Sequence, residues 1–221
     1  MNDAIRLAIV EDESLFRELL CTALSTQPSL AVAAAFGDAA QALAELPDIA
    51  PDVVILDLEL GRGANGFQVG LSLRRYLPKV GVVLLSNHRD PSLLTMLPPE
   101  QAHGWAYLLK SSVRDVAALE RAVHSALSGL VILDPQLTQD AQESREATSL
   151  RDQLTSRGYD LIQLIAEGHS NQAIANRLHL TEKTVENQIG TLYRKLGIST
   201  SDSQVHPRVQ AALKFIEALS P

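Results

Sequence analysis

The sequence predicts an α/β domain, doubly wound around a parallel five-stranded sheet, followed by a small all-α domain. Three observations predict it. Up to about residue 127, short β-branched runs alternate with amphipathic stretches of ten residues or more, the pattern of a parallel sheet covered by helices on both faces. Past a polar, acidic stretch the strand pattern stops and only helical periodicity remains. A length of 221 residues also suits two ordinary domains.

Taken in order, the strands read as Ile5–Val10, Leu30–Phe36, Val53–Asp57, residues 80–85 and Trp105–Leu109, with a helical pattern after each. The third and fourth runs are continuously apolar, as central strands buried on both faces should be. Glu13-Ser14, Asp38, Asp90-Pro91 and Ser111-Ser112 supply the capping chemistry of helix starts. Asp134-Pro135 then stops the chain, and residues 138–149 read as a linker or a solvated connecting helix. Four helical segments follow with short turns, at 155–167, Asn171–Leu178, 182–196 and 205–219. The expected organisation is a first domain over residues 1–133, a linker over 134–150 and a helical domain over 151–221, with no internal repeat.

Composition narrows the function classes. With 46% hydrophobic and 20% charged residues the chain can bury a core, which excludes disordered and fibrous classes. No apolar run reaches the roughly 18 to 20 residues of a membrane span, and the start lacks the apolar core of a signal peptide. The expectation is a cytoplasmic protein with no membrane partner. Cys21, the single cysteine, can form neither an internal disulfide nor a thiolate metal cage, and is expected to be a small buried hydrophobe. The net charge of −7 divides as −5, −3 and +1 over the three segments, so only the last can approach a polyanion without a net penalty.

In an open parallel sheet, ligands sit beyond the carboxyl ends of the strands. Those ends carry Glu11-Asp12, Asp57, Ser86 and Lys110. Clustered carboxylates repel one another unless a hard cation neutralises them, and Mg²⁺ takes one or two carboxylates together with phosphate oxygens. Asp57 is then placed to act as a nucleophile toward phosphorus, with Lys110 pairing one phosphoryl oxygen, Ser86 donating to another and the Glu59 backbone carbonyl as a further metal ligand.

The ordered set Ala8-Ile9-Val10-Glu11-Asp12-Glu13, Asp52-Val53-Val54-Ile55-Leu56-Asp57-Leu58, Val82-Val83-Leu84-Leu85-Ser86 and Gly104-Trp105-Ala106-Tyr107-Leu108-Leu109-Lys110 resembles the receiver domain of bacterial response regulators, a flavodoxin-like fold, over about residues 4–128. The resemblance implies that a histidine kinase phosphorylates Asp57, that Glu11 and Asp12 hold Mg²⁺, and that Ser86 and Tyr107 form a switch pair. The chain departs from that pattern in its longer, glycine-rich loop at 60–66, in Asn87-His88 after Ser86, and in an expanded segment at 97–103. Bulk at Asn87 is expected to alter phosphorylation or hydrolysis rates while the chemistry is retained. His88 and His103 read as incidental loop residues.

In the tail, residues 171–180 and 181–189 have helix, short turn, helix spacing. Ala173, Ile174 and Leu178 share one face, and Val185, Ile189, Leu192 and Leu196 form a core stripe. The opposite face presents Lys183, Asn187, Gly190, Thr191 and Arg194 and is shaped to enter a major groove. Thr181 caps the helix and leaves N–H groups for a phosphate; Asn187 suits base edges, Lys183 a base or a phosphate, and Thr184, Arg194 and Lys195 the backbone. The segments Leu154-Thr155-Ser156-Arg157, Leu164 through Ala175, Thr184-Val185-Glu186-Asn187 and Tyr193-Arg194-Lys195-Leu196-Gly197 resemble the LuxR-type helix-turn-helix over about residues 151–200. A receiver followed by that module is the arrangement of NarL/FixJ-type regulators. It implies a non-enzymatic transcription factor that binds promoter DNA, probed by Lys183, Thr184 and Asn187, with the last helix pairing two copies. Gly158 stands where the family often has Glu, and Glu186 and Gln188 where it often has a basic residue and His. The apolar stripe of the last helix, Val205, Val209, Ala212, Leu213, Ile216 and Leu219, suits both covering its own domain and a homodimer contact.

Three other readings stay open from the residues alone. One is a phosphatase or phosphotransferase with Asp57 as nucleophile and Glu59 as acid. Another is a degenerate receiver that acts without phosphorylation. The third is an output domain that binds protein or RNA instead of duplex DNA.

Overall fold

The computed structural model describes residues 4–61, 63–89, 92–113, 115–140, 150, 153–199 and 205–219. The chain forms two compact units, Met1–Arg89 with Gly104–Gly129, and Asp90–His103 with Leu130–Pro221.

The first unit runs β1 (Ile5–Val10), α1 (Ser14–Ser25), β2 (Leu30–Phe36), α2 (Ala39–Ile49), β3 (Val53–Asp57), α3 (Gly66–Leu73), β4 (Gly81–Ser86), β5 (Trp105–Leu109) and α4 (Val116–Leu127). Its strands pair in parallel, β1 between β2 and β3, β3 against β4, and β4 against β5. Val53 through Leu56 and Val82 through Leu85 are wholly buried, which is why those two runs carry no polar alternation. A sixth strand, β6 (Val131–Leu133), is present besides the five expected, which corrects that number. Three residues are too few to give a readable period.

Among the described residues after β4 the expected helix is absent. Two short 3₁₀ turns, Ser92–Met96 and Pro99–Gln101, stand there instead. Pro98 and Pro99 supply no N–H, and proline pushes the residue before it out of the helical region, so no i to i+4 ladder can run through 97–99. The Asp90-Pro91 cap lies outside the described residues. Ser111 and Ser112 sit in a third 3₁₀ turn, Lys110–Ser112, and the cap of α4 is Asp115, which accepts from the Ala118 N–H at 2.8 Å. Asp38 caps α2 as expected, but Glu13 makes no side-chain cap on α1. Asn65 and Gln68 form a reciprocal capping box on α3. Cys21 is half-buried, not sealed in the core.

Trp105 is fully buried on β5. Its ring lies 5.5 Å from that of Phe67 and carries the buried Arg74 guanidinium 5.4 Å from its centroid. Burial pulls Arg74 down to about 10, still cationic at neutral pH. Gly70 makes room for the indole: a Cβ there would come to 2.7 Å of the ring.

The second unit holds β6, α5 (Pro135–Asp140), α6 (Ser156–Ala166), α7 (Asn171–Leu178), α8 (Glu182–Lys195) and α9 (Pro207–Glu217). The acidic stretch therefore opens as a helix, with Leu137 and Thr138 buried; residues 141–149 lie outside the description. Buried Glu167 ties the unit together. It accepts from Thr138 Oγ1 at 2.6 Å and Gln163 Nε2 at 2.9 Å and pairs with His169 at 3.3 Å. Burial pushes its pKa up, but these bonds outweigh it and hold the carboxyl below its usual value. On α9 the buried residues are Val209, Ala211, Ala212, Phe215 and Ile216, with the Phe215 ring edge-on to Tyr159 of α6 at 5.7 Å. Half of the apolar stripe, Val209, Ala212 and Ile216, thus covers its own unit, while Val205, Leu213 and Leu219 stay half-exposed. On α7 the buried pair is Ile174 and Ala175, with Ala173 and Leu178 only half-buried, and Leu196 likewise.

Candidate functional site

Parallel pairing of β1 with β3, β3 with β4 and β4 with β5 brings the strand-end residues to one edge of the sheet. Glu11 and Asp57 are buried at 1% and 3% exposure, and Asp12 is exposed. Carboxylate oxygens of Glu11, Asp12 and Asp57 lie within 4.8 Å of one another. Lys110 Nζ bridges the two buried acids, 2.9 Å from Asp57 Oδ2 and 2.9 Å from Glu11 Oε2, and rests 4.8 Å from the Phe16 ring centroid. Burial raises the Glu11 pKa, and the nearby Asp57 charge raises it further. Burial pulls Lys110 down, yet its bonds to Glu11 and Asp57 prevail and the ammonium is held above its usual value.

The loops around this cluster are built to approach it closely. A Cβ at Gly66 would collide with the Asp57 carbonyl oxygen. Gly61, at φ +55, would meet Asp12 Oδ2 at 3.0 Å if it carried a Cβ. The glycines of the long loop thus let backbone pass beside both acids. Glu59 donates its N–H to Asp57 Oδ1 at 3.2 Å. Its side chain turns outward to His88 Nε2 at 2.8 Å and adds no oxygen to the carboxylate group. That pairing, first with His88, holds Glu59 below the usual carboxylate range.

Ser86 is fully buried and hydrogen-bonded to the loop backbone: Oγ accepts from the His88 N–H at 2.9 Å and donates to the His88 carbonyl at 3.3 Å. Tyr107, also fully buried, donates its hydroxyl to the same carbonyl at 2.9 Å. The His88 backbone thus holds both Ser86 and Tyr107, while its ring pairs with Glu59 and adds nothing to the carboxylate cluster. A residue the sequence reading missed is Arg17, whose Nη1 donates to the Glu11 carbonyl at 2.5 Å and ties α1 to the acidic turn. Its signal was a cation one helical turn past Glu11-Asp12-Glu13.

In the second unit, α7 ends in left-handed His179 and α8 starts at Thr181, which accepts from the Thr184 N–H at 3.2 Å. Val185, Ile189 and Leu192 face inward, whereas Lys183, Asn187, Thr191, Arg194 and Lys195 are exposed on one flank and Thr184 is half-exposed. Thr191 donates to the Asn187 carbonyl and accepts from Arg194 Nη2, each at 3.1 Å, and Lys183 pairs with Glu186 at 3.0 Å.

Family comparison bears directly on both clusters. Residues 7–124 match the response regulator receiver domain, and residues 152–213 match the bacterial regulatory proteins of the luxR family. The chain belongs to the LuxR-type response regulators. It is 33% identical to the probable transcriptional regulatory protein NarL of Mycobacterium tuberculosis over 89% of this chain and 90% of that one. It is 30% identical to the transcriptional regulatory protein DegU of Brevibacillus brevis, over 98% and 94%. A solved structure of RcsB dimers bound to DNA shares the fold, at TM-score 0.54 and 19% identity over 98% of this chain and 99% of that one. Regulation of transcription is the activity of such response regulators. Among the described residues, no helix is long and apolar enough to cross a membrane.

Proposed function

We propose that a histidine kinase phosphorylates Asp57 of this response regulator, and that the phosphorylated chain dimerises, binds promoter DNA and so regulates transcription in the cytoplasm. The observation that carries the reading is the bridging of buried Asp57 and Glu11 by Lys110 beside exposed Asp12. Three carboxylates and one ammonium leave a formal charge of −2, which a dication cancels, so the donor set fits Mg²⁺ held by Glu11, Asp12 and Asp57 with the Glu59 backbone carbonyl. Bound there, Mg²⁺ supplies charge neutralisation for the acids and the incoming phosphoryl oxygens.

An Asp57 carboxylate oxygen attacks phosphorus, the P–N bond of the donor phosphohistidine breaks, and its electron pair stays on the imidazole nitrogen. Lys110 pairs with a phosphoryl oxygen. Ser86 leaves the His88 backbone to donate to another, and Tyr107 repacks toward the space it vacates. On α8, Thr181 and its free N–H groups, Thr184, Arg194 and Lys195 bind phosphates, while Lys183, Asn187 and Thr191 face the groove. We place the receiver at 1–133, the connecting segment at 134–150 and the DNA-binding domain at 151–221.

The test treats the full chain with acetyl phosphate and Mg²⁺ beside Asp57→Ala, measuring oligomeric state and affinity for its own promoter region. Wild type should form dimers and bind more tightly, and the variant should do neither. Identical behaviour of the two would mean that phosphorylation is not the switch.

A further inference from the structure

Within the second unit a cavity of about 360 Å³ opens between the start of α6 and the exposed flank of α8. That is the small end of the roughly 300 to 1,000 Å³ typical of ligand sites. Buried Leu154, Leu161 and Leu192 make its apolar floor. Gly158 lines it from the first turn of α6, where the backbone is not left-handed and a Cβ would come to 3.3 Å of the capping Thr155 Oγ1. Gln188 also lines it and buries its Oε1 with no hydrogen-bond partner among the described residues. A buried acceptor without a donor is costly and marks a place where a partner belongs. Arg157 and Lys195, both exposed, bring two cations to the mouth.

An apolar floor, an unmet acceptor and a cationic mouth together select one chemistry. We propose that this cavity binds a small amphipathic carboxylate carrying a hydroxyl or amine donor: Gln188 turns its Oε1, sealed from solvent as it stands, to meet the donor, the apolar body lies on the leucines, and the carboxylate meets Arg157 and Lys195. Thr184, Asn187, Thr191 and Lys195 line the same cavity, so its occupation competes with DNA at α8. This competition rests on the DNA-binding reading; the pocket itself does not.

The full chain is titrated with 4-hydroxybenzoate and, as the same acid without the donor, benzoate, and followed by amide NMR. The expected result is saturable shifts at Gly158, Gln188 and Thr191, with the hydroxy acid bound about tenfold more tightly than benzoate. Gln188→Leu should erase that difference while still binding benzoate. Gly158→Leu, which fills the space, should lose both ligands with its spectrum otherwise dispersed. Absence of saturable shifts at about 10 mM, or equal binding by wild type and Gly158→Leu, overturns the pocket. For the competition, saturating 4-hydroxybenzoate should release a fluorescent duplex of the chain's own upstream region from wild type but not from Gly158→Leu; undiminished DNA binding by the loaded wild type overturns it. Lys183→Ala should weaken the duplex without changing affinity for the acid. If it leaves the duplex unaffected, the DNA reading of α8 fails separately, because the NMR arm needs no DNA.

Discussion

Lys110 is one ammonium holding two buried acids apart, so its removal is felt through both. Lys110→Met should cost roughly 3 to 5 kcal/mol at pH 7, as breaking one side of a buried ion pair does. The loss should shrink as pH falls. Glu11 already titrates above its usual 4.5, and without the ammonium it does so further. Over that window the folded state binds more protons than the unfolded one, and stability rises with falling pH. Urea unfolding at pH 7 and pH 5 checks this, a larger loss at pH 5 contradicting it. The acids and the lysine were legible because residue type and strand position coincide at each strand end. The pairing of His88 with Glu59 was not, since two exposed loop side chains 29 positions apart leave no period to read. Gln188 was noticed for its identity, but the lack of a partner for its buried oxygen among the described residues shows only in the fold.

Elements here are held at their ends by single groups, and their replacement separates two kinds of cost. Thr181→Ala removes the cap of α8 and should cost about 1 kcal/mol, read as a lower midpoint in denaturant. Gly66→Ala forces a Cβ into the carbonyl of Asp57. It should destabilise by roughly 1 to 3 kcal/mol and also slow phosphorylation, because the strand end that positions the acceptor must move. Unchanged phosphorylation in a destabilised Gly66→Ala would mean that this contact is only packing. Four strands and the start of α7 fall on the residues read from the sequence, because a long buried run or a helical period outlasts local noise. The segment after β4 did not, since its apolar residues suited a helix while Pro98 and Pro99 forbade one. Asn65 and Gln68 had the Asn-x-x-Gln spacing of a capping box, a signal present and passed over.

At the scale of the whole chain, a net charge of −7 has to be reconciled with a polyanionic partner, and only the last third carries a positive balance. Affinity for DNA should therefore depend steeply on salt. A dimer making about six phosphate contacts should lose about a thousandfold between roughly 50 and 200 mM salt. Arg194→Ala, which takes one phosphate contact from each copy, should lower the logarithmic slope by about two. A flat salt profile would speak for a partner other than nucleic acid. The two-part organisation was legible because sheet and bundle have different periods. The beginning of the acidic stretch was not, because buried Thr138 earns its place through Glu167, a residue of another helix. Trp105 has one more use. It is the sole tryptophan of the chain and is fully buried on β5. Its emission should shift to the red only when the sheet-bearing half melts, while far-ultraviolet dichroism follows both halves, so the protein carries a native optical label that separates the two transitions.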